Sequence, residues 1–150
     1  MANMKPFVTV ACFCEKVLEE ADHVMTAIRI VDIYYVPPIP DAGPDGPFPA
    51  IVVEGLVSLK SGDLVGSHTI AFVMENTQGA RTQLSPVGGW PVVFEGGEHG
   101  VNLKLKFPIG VKNFGLCWFD VIFDDEVLTR IPLRLRPLSE APTVAAKDAQ

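Results

Sequence analysis

The sequence contains little charge and no long hydrophobic run. Only 20% of its 150 residues are Asp, Glu, Lys or Arg, whereas 48% are hydrophobic, so the chain is too apolar for an intrinsically disordered protein. No apolar run reaches the roughly 18 residues that a transmembrane helix needs. The net charge of −6 has the wrong sign for general nucleic-acid binding. These features predict a folded protein with neither a membrane span nor a nucleic-acid partner.

Cysteine is scarce, and its spacing does not suggest a disulfide framework. The three cysteines are Cys12, Cys14 and Cys117. The chain opens with a single lysine followed at once by a strand-like run, which predicts no signal peptide. An odd number of cysteines in such a chain indicates reduced, buried thiols and a cytoplasmic protein. Zinc sites normally use C-x₂₋₄-C with a second ligand pair, which this sequence lacks.

Motifs for catalysis are also missing. The three histidines, His23, His68 and His99, are far apart, and no G-x-S-x-G motif accompanies them. The glycine-rich string EGGEHG carries acids where a phosphate would bind. The sequence therefore predicts no catalytic site, no cofactor and no metal.

Calcium is an alternative to the prediction of no metal, because loop carboxylates supply the hard oxygen ligands that Ca²⁺ prefers. One group comprises Asp41 and Asp45, and another comprises Asp124, Asp125 and Glu126. Neither group has an ordered D-x-D-x-D spacing, and turn-forming aspartates explain both.

Period-2 alternation of apolar residues recurs along the chain, and this pattern predicts β-strands. Residues 7–14 form a continuous apolar run that is typical of a central strand, and residues 15–22 are expected to form a short helix or turn. Apolar residues switch from even to odd positions within residues 24–35, which predicts a β-bulge at Ile30–Val31 and an Arg29–Asp32 pair.

The middle of the chain predicts a crossover followed by a hairpin. Residues 36–49 contain six prolines and two glycines and cannot hold a sheet ladder, so we expect a long exposed connection that either covers a sheet or binds a ligand. Alternating residues on both sides of residues 60–63 predict a hairpin with Val53 opposite Ile70.

The closing segment, residues 114–137, predicts a second hairpin with apolar residues on both faces. A three-residue loop at Asp124–Glu126 places Asp120 opposite Arg130 and Trp118 opposite Pro132. Trp118 and Ile122 then point away from the core, where a strand that faces water would not need them. We expect this face to be covered by the chain itself, by a second copy or by another partner.

Basic residues are candidates for the same surface. Strand alternation places cations on outer strand faces, where cation and aromatic side chains together could hold an anion, a sugar or a peptide. Solubilising charge on strand edges is the more common reason for such residues. The predicted partner-binding residues are Trp118, Ile122, Lys104, Lys106, Arg130, Arg134 and Arg136.

Seven to nine short strands with turn-rich connections and no helical half predict an all-β fold, a two-sheet antiparallel β-sandwich of the immunoglobulin-like or C2-like kind. The predicted sandwich covers residues 1–137, and residues 138–150 are expected to form a flexible C-terminal tail.

The string ACFCEKVLEEADHVMTAIRIVD, residues 11–32, resembles the opening of a family of small bacterial β-sandwich proteins of unassigned function. The similarity extends over most of residues 7–136 and includes the motif positions Cys14, Glu15, Lys16, Arg29 and Asp32. The chain departs from the family at His23 and at Asp125, where glycine would suit the turns better. The resemblance implies a bacterial β-sandwich and no particular activity.

Taken together, these patterns predict a non-catalytic cytoplasmic module that binds a protein, most simply a second copy of itself. Association would bury the face of Trp118 and Ile122 or would add a strand at an open sheet edge. A calcium- or lipid-linked sandwich module and an enzyme of unknown chemistry are the alternatives.

Overall fold

The computed structural model describes residues 5–38, 50–97 and 100–143. These residues form ten β-strands and a short 3₁₀ helix. The strands are β1 (Phe7–Glu19), β2 (Met25–Val31), β3 (Ile33–Val36), β4 (Ala50–Lys60), β5 (Gly66–Glu75), β6 (Arg81–Gln83), β7 (Trp90–Phe94), β8 (Gly100–Gly110), β9 (Gly115–Phe123) and β10 (Glu126–Pro137). The 3₁₀ helix spans Leu138–Glu140, and no helix in the described ranges is long and apolar enough to cross a membrane.

The strands form two sheets that pack face to face, which confirms the all-β sandwich. The four-stranded sheet has the order β2-β1-β4-β8, and the six-stranded sheet has the order β3-β10-β9-β5-β6 with β7 also paired to β5. Two details differ from the prediction. The described residues contain ten strands because the predicted strand at residues 24–35 is divided between the sheets, and β3 pairs with β10 in parallel.

The core lies between the inner faces of the two sheets. Phe13 of β1 meets Phe119 of β9 edge to face, with ring centroids 4.6 Å apart. Gly55 lies directly opposite Phe13 in β4, and a Cβ there would clash with the Cys12 carbonyl oxygen and crowd the Phe13 ring. The missing side chain therefore gives the aromatic pair its space across the sandwich.

Three predictions for the first hairpin are wrong, and two of them concern its strands. β1 continues to Glu19, so the predicted helix or turn at residues 15–22 is strand over most of its length. The β1–β2 register runs from Phe13 opposite Val31 to Glu19 opposite Met25 without a shift, so the bulge at Ile30–Val31 is absent. The chain instead changes sheets at Asp32, and that crossing accommodates the change in apolar parity.

The predicted Arg29–Asp32 pair is also wrong. Arg29 has a left-handed backbone with φ of 54°, and its Nε lies 2.9 Å from Oε1 of Glu15. Asp32 lies at the crossing, where its carbonyl oxygen accepts a hydrogen bond from the Arg134 N–H at 2.9 Å. Arg29 therefore pairs within the four-stranded sheet, whereas Asp32 is hydrogen-bonded to a strand of the six-stranded sheet.

The segment at residues 60–63 crosses between the sheets rather than closing a hairpin. β4 pairs with β1 and β8, whereas β5 pairs with β6, β7 and β9, so Val53 and Ile70 are not cross-strand partners. Alternation alone cannot separate the two arrangements, because both turn the same apolar side chains inward.

The closing hairpin confirms the predicted pairs Asp120–Arg130 and Trp118–Pro132. The three-residue loop is wrong, because Phe123 opposes Glu126 across a two-residue turn. Asp124 and Asp125 have φ of 43° and 68°, as a type I′ turn requires, and aspartate tolerates this conformation. A register shift between Val127 and Thr129 then restores the predicted pairing. Whether residues 39–49 cover a sheet, and whether residues 144–150 form a tail, lies outside the described residues.

The space around Gly55 generates a stability prediction. A Cβ at this position would lie 2.8 Å from the Cys12 carbonyl oxygen and 3.2 Å from the Phe13 ring. We expect Gly55→Ala to lower the free energy of unfolding by about 1–3 kcal/mol, as overpacking does. Gly110→Ala is the matched control, since a Cβ there meets nothing within 4 Å. Equal urea midpoints for the two variants would contradict the close approach.

Candidate functional site

The predicted partner-binding residues lie on two opposite surfaces. The six-stranded sheet carries five of them on its outer face: Trp118, Ile122, Arg130, Arg134 and Arg136. Lys104 and Lys106 lie on the outer face of the four-stranded sheet, opposite Leu56 and Glu54. The single basic and aromatic surface inferred from the sequence is therefore wrong, because alternation places a residue on an outer face without telling which sheet the strand joins.

Trp118 is half-buried on its outer face and has a neighbour above it. Its cross-strand partners are Glu75 in β5 and Pro132 in β10. The Cζ atom of Arg130 lies 5.1 Å from the Trp118 ring centroid, within cation–π range. The chain thus covers part of this tryptophan with its own arginine.

Arg130 is held over Trp118 by an ionic network centred on Asp120. The Asp120 carboxylate is buried at 3% exposure although it lies on an outer face. It accepts a hydrogen bond from Arg130 Nε at 2.6 Å and another from Arg81 Nη2 at 2.9 Å. Arg130 Nη2 also donates to Glu75, which completes a network across β6, β5, β9 and β10. Four strands are therefore tied together by paired charges.

The charge state of Asp120 follows from these partners. Burial by itself would raise the pKa of the Asp120 carboxyl, but hydrogen bonds from Arg130 and Arg81 outweigh it and hold the pKa below the ordinary value. The carboxylate is therefore ionised and paired at neutral pH, which describes a structural element and not a poised acid or base.

A second polar cluster fixes the turn between β9 and β10. His68 Nδ1 lies 2.5 Å from Asp124 Oδ2, and His68 Nε2 lies 3.0 Å from the Val65 carbonyl oxygen. The imidazole also stacks on Phe123 with centroids 5.2 Å apart. Because both ring nitrogens face acceptors, both hydrogen bonds form only when the ring is protonated. The hydrogen bond with Asp124, followed by that with Val65, raises the pKa of His68.

The calcium alternative gains no support from the turn. Asp124 already directs one oxygen to His68 and accepts the Thr69 N–H at 3.0 Å with the other. Within residues 5–38, 50–97 and 100–143, no cluster of three or more His, Cys, Asp or Glu side chains could hold a metal ion. The other candidate carboxylates, Asp41 and Asp45, and also His99, lie outside the described residues.

The first hairpin contributes to a small second apolar cluster on the four-stranded sheet. Leu56 points outward from β4, and Val17, near the hairpin tip, packs against it and against Cys14. Met25 and Ala27 from β2 complete this small second core. Burial raises the pKa of the Cys14 thiol, which marks it as inert packing.

This arrangement leaves β2 as an open edge with apolar side chains. In the described part of the chain β2 pairs with β1 alone. Ile30 is 65% exposed, and Val24 and Ile28 are also exposed. The one charge on the strand, Arg29, is turned to Glu15 of its own hairpin.

Other edges carry features that discourage pairing. β8 alternates Lys104 and Lys106 outward and includes Pro108, and β7 contains Pro91. β3 and β6 span four and three residues. Lysine, proline and short length are the usual means of blunting an edge, and β2 has none of these three, although Arg29 interrupts its extended backbone.

Sequence reasoning missed Glu75, Arg81 and the His68–Asp124 contact. The Asp120–Arg130 pair was found because it lies within one hairpin. Glu75 and His68 reach β9 and its turn through the β5–β9 pairing, which joins strands that are not consecutive. Their signal in the sequence is limited to polar residues in otherwise apolar strands.

No family model matches the chain, and no curated protein matches it. Among solved structures, the chain is similar to alkylpurine DNA glycosylase AlkC from Pseudomonas fluorescens, solved with DNA that contains an abasic site analog. The TM-score is 0.52 at 9% identity, and the match covers 90% of this chain and 31% of the glycosylase chain. An immunoglobulin-like protein from Pseudomonas aeruginosa matches with a TM-score of 0.41 at 12% identity over 91% of this chain and 100% of that one. At these identities the likeness is one of fold.

The network around Asp120 predicts a specific loss of stability. Asp120→Asn keeps the shape of the side chain but leaves two arginines facing a neutral amide, so we expect the unfolding free energy to fall by about 1–3 kcal/mol. Because the folded pKa of Asp120 is lowered, its stabilisation is present above the unfolded value of about 4 and lost as the pH falls below it. The control is Asp125→Asn in the exposed turn, which should change stability little; denaturation at pH 7 measures both.

The contact between His68 and Asp124 predicts the opposite pH dependence of stability. Its folded pKa is raised, so its contribution is complete below the unfolded value of about 6.5 and is lost as the pH rises through the folded pKa. Between pH 6 and pH 9 the wild type should therefore lose more stability than His68→Gln. An identical pH dependence of stability for wild type and His68→Gln would show that the contact between His68 and Asp124 does not stabilise the fold.

Proposed function

We propose that this chain is a non-catalytic assembly module that associates with a second copy of itself through the open edge of β2. The observation that carries the proposal is the combination of an unpaired strand edge with exposed apolar side chains on β2, beside other edges that carry lysine, proline or few residues. Pairing two copies of β2 would satisfy the free backbone groups of both strands and remove Ile30 from water.

A strand-addition interface fits the described surfaces better than the face of Trp118 and Ile122. Arg130 lies over Trp118 and is itself paired with Asp120 and Glu75, so a partner on that face would displace or desolvate an ionic network. The ion pair at β2, Arg29 with Glu15, is much more exposed than the Asp120 network, and exposed pairs contribute little. Arg134 and Arg136 remain as exposed charge on the outer face of β10.

Location and origin are part of the proposal. The cysteines Cys12, Cys14 and Cys117 are all free, and the last two are buried, which supports a reducing compartment such as the cytoplasm. The resemblance in residues 11–32 supports a bacterial source. The glycosylase structure contains DNA, and DNA binding is a property of that enzyme. The net charge of −6 argues against proposing DNA binding for this chain.

Light scattering coupled to size exclusion tests the interface. We expect a mass near twice 16.3 kDa at high protein concentration, and we expect Ile30→Lys to weaken association by about tenfold or more. The matched control is Val93→Lys, because Val93 is 63% exposed but lies on β7 in the other sheet. It should leave the mass unchanged.

Two results would overturn the proposal. One is a wild-type protein that stays monomeric at every concentration. The other is a dimer that survives Ile30→Lys and dissociates with Trp118→Ala, which would assign the interface to the outer face of the six-stranded sheet.

A further inference from the structure

A cavity of about 600 Å³ opens at one end of the sandwich, away from both surfaces considered above. Its lining comes from the start of β1, the crossing between β4 and β5, and the turn after β7: Phe7, Thr9, Lys60, Gly62, Asp63, Val65, Gly96 and Gly97. The volume lies in the range of small-molecule sites, which runs from roughly 300 to 1,000 Å³.

A buried hydroxyl lies in the chain between the lining residues Lys60 and Gly62. Ser61 has no exposed surface, and its Oγ lies 3.3 Å from the carbonyl oxygens of Gly62 and Gly97. This hydroxyl joins the β4–β5 crossing to the turn after β7. Two segments that are distant in sequence and that both line the cavity are thereby linked.

Glycines make room for the side chains that shape the cavity wall. A Cβ on Gly96 would lie 3.2 Å from Val65 Cγ1, and a Cβ on Gly100 would lie 3.1 Å from Lys60 Cδ. Val65 and the stem of Lys60 therefore lie against backbone that has no side chain. The absence of a side chain at Gly96 and at Gly100 thus leaves space for Val65 and Lys60, which line the cavity.

The walls combine exposed apolar surface with one available cation. Phe7 and Val65 are large hydrophobic residues that are 45% and 63% exposed, an arrangement that costs free energy unless something covers them. Lys60 lies directly opposite Phe7 in the β1–β4 register and forms no ion pair with any described residue. Asp63 also lines the cavity, and it already interacts with the chain.

We infer that this cavity binds a small apolar molecule with one anionic group, of the class of aromatic or short aliphatic carboxylates. The apolar body packs between Phe7 and Val65, and the carboxylate pairs with the ammonium group of Lys60. The site is independent of the β2 edge, so either proposal stands if the other fails.

A pair of matched compounds tests the inference: 2-naphthoate, which is anionic, and 2-naphthamide, which is neutral. We expect both to shift the backbone amide resonances of Gly62, Gly96 and Gly97 in ¹⁵N–¹H spectra, with naphthoate the tighter ligand. Lys60→Gln should weaken naphthoate binding by about three- to fivefold, the effect of a partly exposed ion pair, and leave naphthamide unchanged.

Control variants separate the parts of the site. Lys104→Gln removes an exposed lysine from the outer face of the same sheet and should leave the affinity for both compounds as it was. Phe7→Ala should weaken binding of both compounds alike. The inference is overturned if neither compound shifts these glycines, if the shifts lie elsewhere, or if Lys60→Gln affects the two compounds equally.

Discussion

The contact between Phe13 and Phe119 sets the parity of both sheets. These rings meet 4.6 Å apart across the sandwich, and Gly55 leaves space for them. Because side chains alternate along a strand, turning Phe13 inward sends Cys14 outward, and turning Phe119 inward sends Trp118 and its neighbour at position 120 outward. A slip of one residue would exchange the two faces. The residues available for binding are therefore fixed by what the core requires.

The two outer faces differ in how far their apolar side chains are covered. On the six-stranded sheet the buried carboxylate of Asp120 is neutralised by Arg130 and Arg81, and Arg130 then covers Trp118, so the face is closed by its own charges. On the four-stranded sheet Leu56 clusters with Cys14 and Val17 of β1, and β2 lies at the edge with Ile30 exposed. The first arrangement covers part of Trp118 within the chain, and the second leaves Ile30 exposed.

Local pairing could be predicted from the sequence, and pairing between distant strands could not. The register that sets Asp120 opposite Arg130 follows from alternation within one hairpin, although the turn needed left-handed Asp124 and Asp125 and a compensating bulge. Residues 15–22 are predicted as a short helix or turn, but residues 15–19 continue β1, where Val17 clusters with the distant Leu56. Likewise, nothing near Lys104 tells which sheet β8 joins. Each error arose where the deciding contact lies far away in the chain.

Hydrogen exchange measured at low and high protein concentration tests the central claim most directly, because edge amides of β2 are free in one copy and paired in a dimer. We expect exchange to slow with concentration in residues 25–31, with little change in β8, the other edge of the same sheet. Exchange in β2 that is independent of concentration while the protein is dimeric, or protection that develops in β9 instead, would contradict association through this edge.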